Sequence, residues 1–266
     1  MTTPSAETRT RDHYEEFPYD VGVDDPEVYV KAGSPLGEFL DSVHGGRLLD
    51  LGCGPGHLLP SYARRADSVT AVELSPRSAA LARARIERLG RSVKATTTIV
   101  EGSALTLPFE DASFDHVTAT GSLHHTGDAE RGFAELCRVL RPGGTAFVSL
   151  YGHGSYYERA YRTVGRLARR SQRSAVLDRL TNRGLLFAPF ALYLWGGRLV
   201  THRTLPRLSL DQIRNYYADQ LLNPTVSFHT IAEVARWAER RQSNVAWSRT
   251  THAGALIHVC IEKGAS

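Results

Sequence analysis

Cysteine, lysine and long apolar runs are all scarce in this 266-residue chain. The three cysteines, Cys53, Cys137 and Cys260, are odd in number and far apart, which argues against a disulfide framework and against a Cys-x-x-Cys metal site. No metal is expected, and the expected compartment is a reducing cytoplasm. Lys31, Lys94 and Lys263 are the only lysines, so nearly all the positive charge is arginine, a bias that GC-rich coding explains without any function. The opening Met1-Thr2-Thr3-Pro4-Ser5-Ala6-Glu7 lacks the apolar core of a secretory signal. The apolar stretch Gly184 to Trp195 is too short to span a bilayer and contains Pro189, so no transmembrane segment is expected. It suits a pocket wall or contact with a membrane surface.

A hydrophobic content of 42% and a charged content of 23% are ordinary for a globular protein, and the length fits one large domain or one domain with an elaborate insertion. From about residue 47 to 150, short apolar runs alternate with helical stretches, the pattern of parallel strands joined by crossover helices. Strands are expected at 47–51, 69–73, 96–100, 115–120 and 144–150, with helices over Ser75 to Leu89 and Asp128 to Leu140. The second helix should stop at Arg141-Pro142-Gly143-Gly144. After Leu150 the alternation breaks into a mostly helical segment, 152–222, before a helix at Thr230 to Arg241 and strands at Asn244 to Ser248 and Ala255 to Glu262. Between residues 152 and 207, eleven arginines face only Glu158 and Asp178.

The most informative run is Leu48-Leu49-Asp50-Leu51-Gly52-Cys53-Gly54-Pro55-Gly56, followed by Val69-Thr70-Ala71-Val72-Glu73-Leu74-Ser75. A strand runs into a turn with glycine at every second position, and a second strand about twenty residues on ends in a carboxylate, the signature of an adenosine-containing ligand. A dinucleotide site needs Gly-x-Gly-x-x-Gly, and His57 stands where its third glycine belongs. Glycines at 52, 54 and 56 permit positive φ and close approach of the backbone to a ligand. Asp50 could accept from a ligand ammonium and Glu73 from both hydroxyls of a ribose, charge-assisted bonds of the stronger kind.

Residues from about Gly46 to Leu150 resemble the class I S-adenosylmethionine-dependent methyltransferases, in particular their small-molecule group. Besides the two runs above, the likeness includes Leu107-Pro108-Phe109, Phe114-Asp115-His116-Val117 and Leu136-Cys137-Arg138-Val139-Leu140-Arg141-Pro142-Gly143-Gly144. The resemblance implies an α/β, Rossmann-like fold: a seven-stranded sheet with the last strand antiparallel, helices on both faces and a helical insertion after the fifth strand. It divides the chain into an N-terminal helical lid (1–45), a cofactor-binding core (46–151), an insertion or substrate cap (152–222) and a C-terminal completion of the core (223–266). The implied cofactor is S-adenosyl-L-methionine, bound by Asp50, Gly52, Cys53, Gly54, Gly56, Glu73, Leu74, Ser103, Ala104, Thr120 and Leu123. Where the family has Gly-Asp-Ala after the third strand, with the aspartate on the adenine amine, this chain has Gly102-Ser103-Ala104, and an uncharged serine.

Methyl transfer is an in-line displacement, so a protein contributes mainly by placing the acceptor and excluding water. An acceptor that must lose a proton calls for a base, and His124 and His125 follow the fourth strand at the edge that faces the cofactor, while His153 follows the fifth. Tyr14, in the aromatic stretch Asp12 to Tyr19, is expected in a lid and is the third candidate for a catalytic role. The leading function is methylation of a small-molecule acceptor, a secondary metabolite or a lipophilic or acidic compound, by a cytoplasmic monomer or homodimer. Two alternatives keep the fold: use of the bound sulfonium without methyl transfer, in a cyclisation, a rearrangement or another alkyl transfer, and RNA methylation. Against the RNA reading, the basic segment holds no recognisable RNA-binding module and the loops lack an Asn/Asp-Pro-Pro-aromatic signature, so nucleic acid is not an expected partner.

Overall fold

The computed structural model describes residues 4–20, 30–31, 33–90, 95–192, 194 and 209–265. Seven strands, β1 (Arg47–Leu51), β2 (Ser68–Glu73), β3 (Thr96–Glu101), β4 (Phe114–Thr120), β5 (Leu140–Tyr151), β6 (Ser243–Thr251) and β7 (Leu256–Lys263), form one sheet in the order β3-β2-β1-β4-β5-β7-β6. The first five pair in parallel and β7 is antiparallel to both β5 and β6, the mixed sheet that the resemblance implies. Side chains alternate across it, as the period of two requires. Leu49, Leu51, Val117 and Val148 point to a cluster with Phe133, Leu136 and Trp237, whereas Leu48, Val69, Ala71 and Phe147 point to one with Phe39, Leu40 and Tyr62.

Helices among the described residues include α1 (Ala6–Glu16), α2 (Pro35–Asp41), α3 (Leu59–Ala63), α4 (Pro76–Leu89), α5 (Ala129–Val139), α6 (Tyr156–Ser171), α7 (Ala175–Leu180), α8 (Leu210–Tyr217) and α9 (Ile231–Glu239). Their starts follow capping chemistry. Ser75 and Asp128 accept from the third amides of α4 and α5, and Thr230 with Glu233 makes a capping box on α9.

One boundary differs from expectation. The chain passes from α5 directly into β5 at Leu140, and Arg141-Pro142-Gly143-Gly144 lie inside that strand rather than stopping the helix. Pairing with β4 jumps there from Phe114–Leu140 to His116–Thr145, so the proline and glycines absorb a bulge, with Gly143 at φ +70°. The buried Leu140 decides the matter, because the core holds it in extended backbone.

The N-terminal stretch expected as one lid does two jobs. α2 packs under the sheet, Phe39 lying 5.6 Å from Phe147 between ring centroids, and α1 crosses the carboxyl edge of the strands. The insertion has its own small core of Ala168, Tyr217, Ala218, Leu221 and Leu222, against which Leu186, Phe187 and Phe190 of the apolar stretch pack. Tyr193, Trp195, Arg198, Arg203 and Arg207 lie outside the described residues. Among the described residues no helix is long and apolar enough to cross a membrane.

Candidate active site

The strand order reverses direction between β1 and β4, and the glycine turn leaves the carboxyl end of β1 at that switch point, where open α/β sheets bind ligands. Gly52, Gly54 and Gly56 all have positive φ, +72°, +53° and +79°. Their surroundings differ. A Cβ on Gly52 would stand 2.4 Å from Ser122 Cβ, and one on Gly56 would stand 3.1 Å from Ala82 Cα, whereas one on Gly54 would meet nothing within 4 Å. Two glycines thus pack the turn against the protein, and the middle one faces open space. The turn is pinned to β2: the amides of Gly52 and Cys53 donate to the Val72 carbonyl at 2.7 and 3.2 Å, and the Gly54 amide donates to Glu73 Oε2 at 2.8 Å.

Two acids flank this opening. Asp50 is 3% exposed and accepts from Thr118 Oγ1 at 2.8 Å. Burial drives its carboxyl up to about 7, with the Thr118 bond opposing and the charge of Glu73 adding. Glu73 is also buried and its carboxyl is raised by burial, against backbone donors from Ser75, Gly54 and Leu74. Gly54 donates to its Oε2 and Ser75 to its Oε1, and three backbone donors leave part of the carboxylate's four acceptor sites for a ligand. Thr120 Oγ1 and Ser122 Oγ, on and just past the end of β4, are buried with no hydrogen-bond partner among the described residues. Open space beside Gly54, two carboxylates and orphaned hydroxyls together fit an amino-acid-bearing nucleoside.

The other expected contacts fall unevenly. Leu74 and Ala104 are half-buried, at the ends of β2 and β3. Leu123 is fully buried in the main core, where Gly132 makes room for it, so only its backbone is available to a ligand. Cys53 stays a thiol, its pKa pushed far up first by burial and then by the charges of Glu73 and Asp50. Ser103 is already committed: its hydroxyl donates to the Glu7 carboxylate of α1 and accepts from the Leu105 amide at 2.9 Å.

α1 is anchored along its whole length. Besides Glu7 on Ser103, Thr10 donates to the His125 carbonyl at 2.7 Å. Glu15 takes the Ser75 hydroxyl and the Arg77 amide at 2.7 and 2.9 Å. Beyond the helix, His57 Nε2 lies 3.2 Å from the Tyr19 carbonyl, so the residue that breaks the dinucleotide pattern ties the N-terminal segment to the glycine turn.

At the other end of the edge, a single 3₁₀ turn, Leu123–His125, presents the two histidines. His125 Nδ1 lies 2.9 Å from the Thr225 carbonyl, which makes it the donor and leaves Nε2 as the basic nitrogen, 3.9 Å from Asp219 Oδ1. Its pKa is lowered by burial, and Asp219 pulls it back up. His124 is held well below its ordinary value by burial and by the neighbouring His125. Its ring lies tilted against Tyr151, 3.9 Å between centroids, and neither ring nitrogen has a partner among the described residues. His153 is exposed and paired with Glu158 at 3.2 Å. Asp219 gathers the rest: it accepts from Tyr14 Oη at 2.8 Å, from Gln220 Nε2 at 2.9 Å and from Tyr151 Oη at 3.4 Å, while Asn223 Nδ2 donates to Tyr14 Oη at 3.1 Å. Tyr14 is thus a donor, its pKa raised far up by burial and by Asp219. Sequence reading missed Asp219, Asn223, Glu7 and Glu15. The available signal for Asp219 was an acid set between Tyr216-Tyr217-Ala218 and Leu221-Leu222.

Residues 49–148 match the family described as "Methyltransferase domain". That stretch carries the sequence of a methyltransferase domain. The match to curated relatives covers the same part. A demethylmenaquinone methyltransferase of Thermobifida fusca is 36% identical over 114 residues, 43% of this chain and 47% of that protein. A ubiquinone biosynthesis O-methyltransferase of Methylocella silvestris is 39% identical over 108 residues, 40% of each. The chain therefore spans about half, or less, of the relatives it matches. Among solved structures, magnesium protoporphyrin IX methyltransferase of Synechocystis, described with bound S-adenosylmethionine, superposes with a TM-score of 0.58 at 12% identity, covering 99% of this chain and 100% of that one. A possible histamine N-methyltransferase of Thermotoga maritima gives a TM-score of 0.54 at 17% identity, over 96% and 99%. At such identities these two likenesses concern the methyltransferase fold alone.

Proposed function

We propose that this chain binds S-adenosylmethionine at the carboxyl edge of the sheet and methylates a small-molecule acceptor held between that edge and the helical insertion. The observation that carries the reading is Gly54, the one glycine of the turn that faces open space, set between the buried carboxyls of Asp50 and Glu73. In this reading Asp50 takes the ammonium of the cofactor, the backbone of residues 52–56 lies along its methionine moiety, and Glu73 accepts from the ribose hydroxyls. The loop after β3, two strands along the edge from the turn, would then hold the base. There the Ser103 hydroxyl is spent on Glu7, so Glu7 brings the free lone pairs that an exocyclic amine needs. Leu74 and Ala104 would flank the base.

The cofactor supplies a methyl group already activated on a sulfonium. The protein's part is placement, exclusion of water and removal of a proton. α1 closes the edge, held to the loops after β2, β3 and β4. His125, with its tautomer fixed by the Thr225 carbonyl, accepts the acceptor's proton on Nε2, and Asp219 stabilises the imidazolium that results. His124 remains neutral and forms part of the wall with Tyr151. On this division residues 46–151 and 223–266 form the binding core, and 152–222 the cap over the acceptor. The names of the curated relatives, which concern quinone biosynthesis, support a lipophilic acceptor. The unpaired cysteines suit a cytoplasmic protein.

The test is calorimetric binding of S-adenosylhomocysteine, followed by incubation of labelled S-adenosylmethionine with a panel of phenols and quinols. S-adenosylhomocysteine formed in step with a methylated product supports the reading. Conversion of an acceptor with the cofactor unconsumed defeats methyl transfer, and absence of binding defeats the whole reading.

A further inference from the structure

The outer face of the insertion has a surface that methyl transfer does not explain. Among the described residues, every large apolar side chain found exposed lies between Tyr156 and Leu210. They are densest on α7, where Val176, Leu177 and Leu180 are 68%, 52% and 64% exposed and no residue of the helix is buried. A helix that buries nothing has no packing reason to carry three large apolar side chains, and such patches mark interaction sites.

Charge indicates the partner. Arg159, Arg166, Arg170, Arg173 and Arg179, on α6, on α7 and between them, are exposed and pair with no acidic side chain among the described residues. The segment's two acids are already used, Glu158 by Arg162 at 2.8 Å and Asp178 by Arg183 at 4.0 Å. A two-fold contact between copies of this chain through this face would set unpaired arginines against the same arginines, a like-charge arrangement that opposes association. Exposed Val176, Leu177 and Leu180 with exposed Arg173 and Arg179 beside them in the chain have the character of segments that lie in the interface of an anionic bilayer, apolar side chains at the acyl boundary and cations among the headgroups.

We propose that this face, centred on α7 and the arginines of α6, docks the protein on an anionic lipid surface. The docking needs neither cofactor nor catalysis, so it stands apart from the methyl-transfer reading. Its expected use is to bring the acceptor cap to a membrane where a lipophilic acceptor resides.

The experiment is co-sedimentation of the full chain with vesicles of phosphatidylcholine, alone or mixed with phosphatidylglycerol. Binding is expected only to the mixed vesicles and should weaken with salt. Arg173→Gln with Arg179→Gln should reduce the partition coefficient about 25-fold, each arginine near the surface counting for roughly a factor of five. Leu177→Ser with Leu180→Ser should reduce it further while leaving the circular dichroism spectrum and Tm unchanged, since both side chains are exposed. Failure to bind mixed vesicles at low salt overturns the proposal, as does binding that the folded variants retain. A dimer in analytical ultracentrifugation that the leucine variant abolishes would assign the face to a second copy instead.

Discussion

The two ends of the sheet edge that α1 crosses are built on different scales. At the glycine turn, contacts run between neighbouring strand ends: Gly54 to Glu73, Gly52 to Val72, Thr118 to Asp50, all within one sheet and mostly through backbone amides. At Asp219 the contacts are between side chains from distant parts of the chain, Tyr14 from the lid, His125 after β4, Tyr151 at the end of β5 and Asn223 at the close of the insertion. On the proposed reading, the backbone geometry would hold the cofactor and the side-chain network would adapt the opposite wall to one acceptor. The N-terminal helix α1 touches both.

If the division holds, substitutions should separate binding of the cofactor from turnover of the acceptor. The largest expected effect is at the acceptor end. Asp219→Asn should lower kcat about 10²- to 10⁴-fold, the usual worth of assisted proton transfer, without changing affinity for S-adenosylhomocysteine. Because Asp219 raises the pKa of His125, its loss should also move the acidic limb of the pH–rate profile to lower pH. Equal loss of kcat and of cofactor affinity would dissolve the distinction. At the other end, Asp50→Asn should weaken S-adenosylhomocysteine binding about 100-fold by removing a buried charge partner. It should also raise the Tm of the ligand-free protein near pH 8. Burial lifts the Asp50 carboxyl from its model-peptide value to about 7 in the fold, so native protein holds a proton that unfolded chain releases between about pH 4 and 7. Stability therefore falls as pH rises through that window, and above it the ionised group opposes folding by a few kcal/mol, on the order of 1.4 per unit of displacement. The amide avoids that cost.

The same contrast of scale explains what could be read from the sequence. Asp50, the three glycines and Glu73 lie within two adjacent βα units, where spacing along the chain translates directly into position at the sheet edge, and the seven strands follow from their period. Asp219 is four residues from Asn223 but about two hundred from Tyr14, and no local pattern encodes that meeting. Ser103 illustrates the limit within the legible half. Its loop position is evident from the resemblance, but the carboxylate beside it comes from Glu7, nearly a hundred residues earlier. The Arg-Pro-Gly-Gly stretch misled for a related reason: a helix-stop signal and a bulge use the same residues, and the tertiary demand of the buried Leu140 chose between them.

Two smaller effects sharpen the cofactor end. Affinity for S-adenosylhomocysteine should rise about tenfold per pH unit up to about pH 7 and then level off, because an ammonium favours the ionised form of Asp50 and binding below that pH releases its proton. A flat profile across this range would remove the ammonium from Asp50. Glu7→Ala should reduce cofactor affinity about tenfold, within the range for a hydrogen bond to a charged group. The loss should shrink for a cofactor analogue with a keto group in place of the exocyclic amine. If analogue and natural ligand lose equally, Glu7 serves only to hold α1 on Ser103.

The smallest effect bears on how far the two ends communicate. Tyr14 stands on α1, which would close the cofactor end, yet its hydroxyl is spent on Asp219 and Asn223 at the proposed acceptor end. Tyr14→Phe removes a hydrogen bond to a carboxylate while keeping the ring against His125, whose centroid is 6.0 Å away. Deleting that bond costs about 1 to 2 kcal/mol, enough to reduce turnover roughly ten-fold, because Asp219 is then left to face His125 with one donor fewer. Affinity for S-adenosylhomocysteine should fall by less than twofold, since Glu7, Thr10 and Glu15 still hold the helix in place. A larger loss of cofactor affinity than of turnover would mean that the hydroxyl latches the lid rather than tunes the base, and would join the two ends into one cooperative unit.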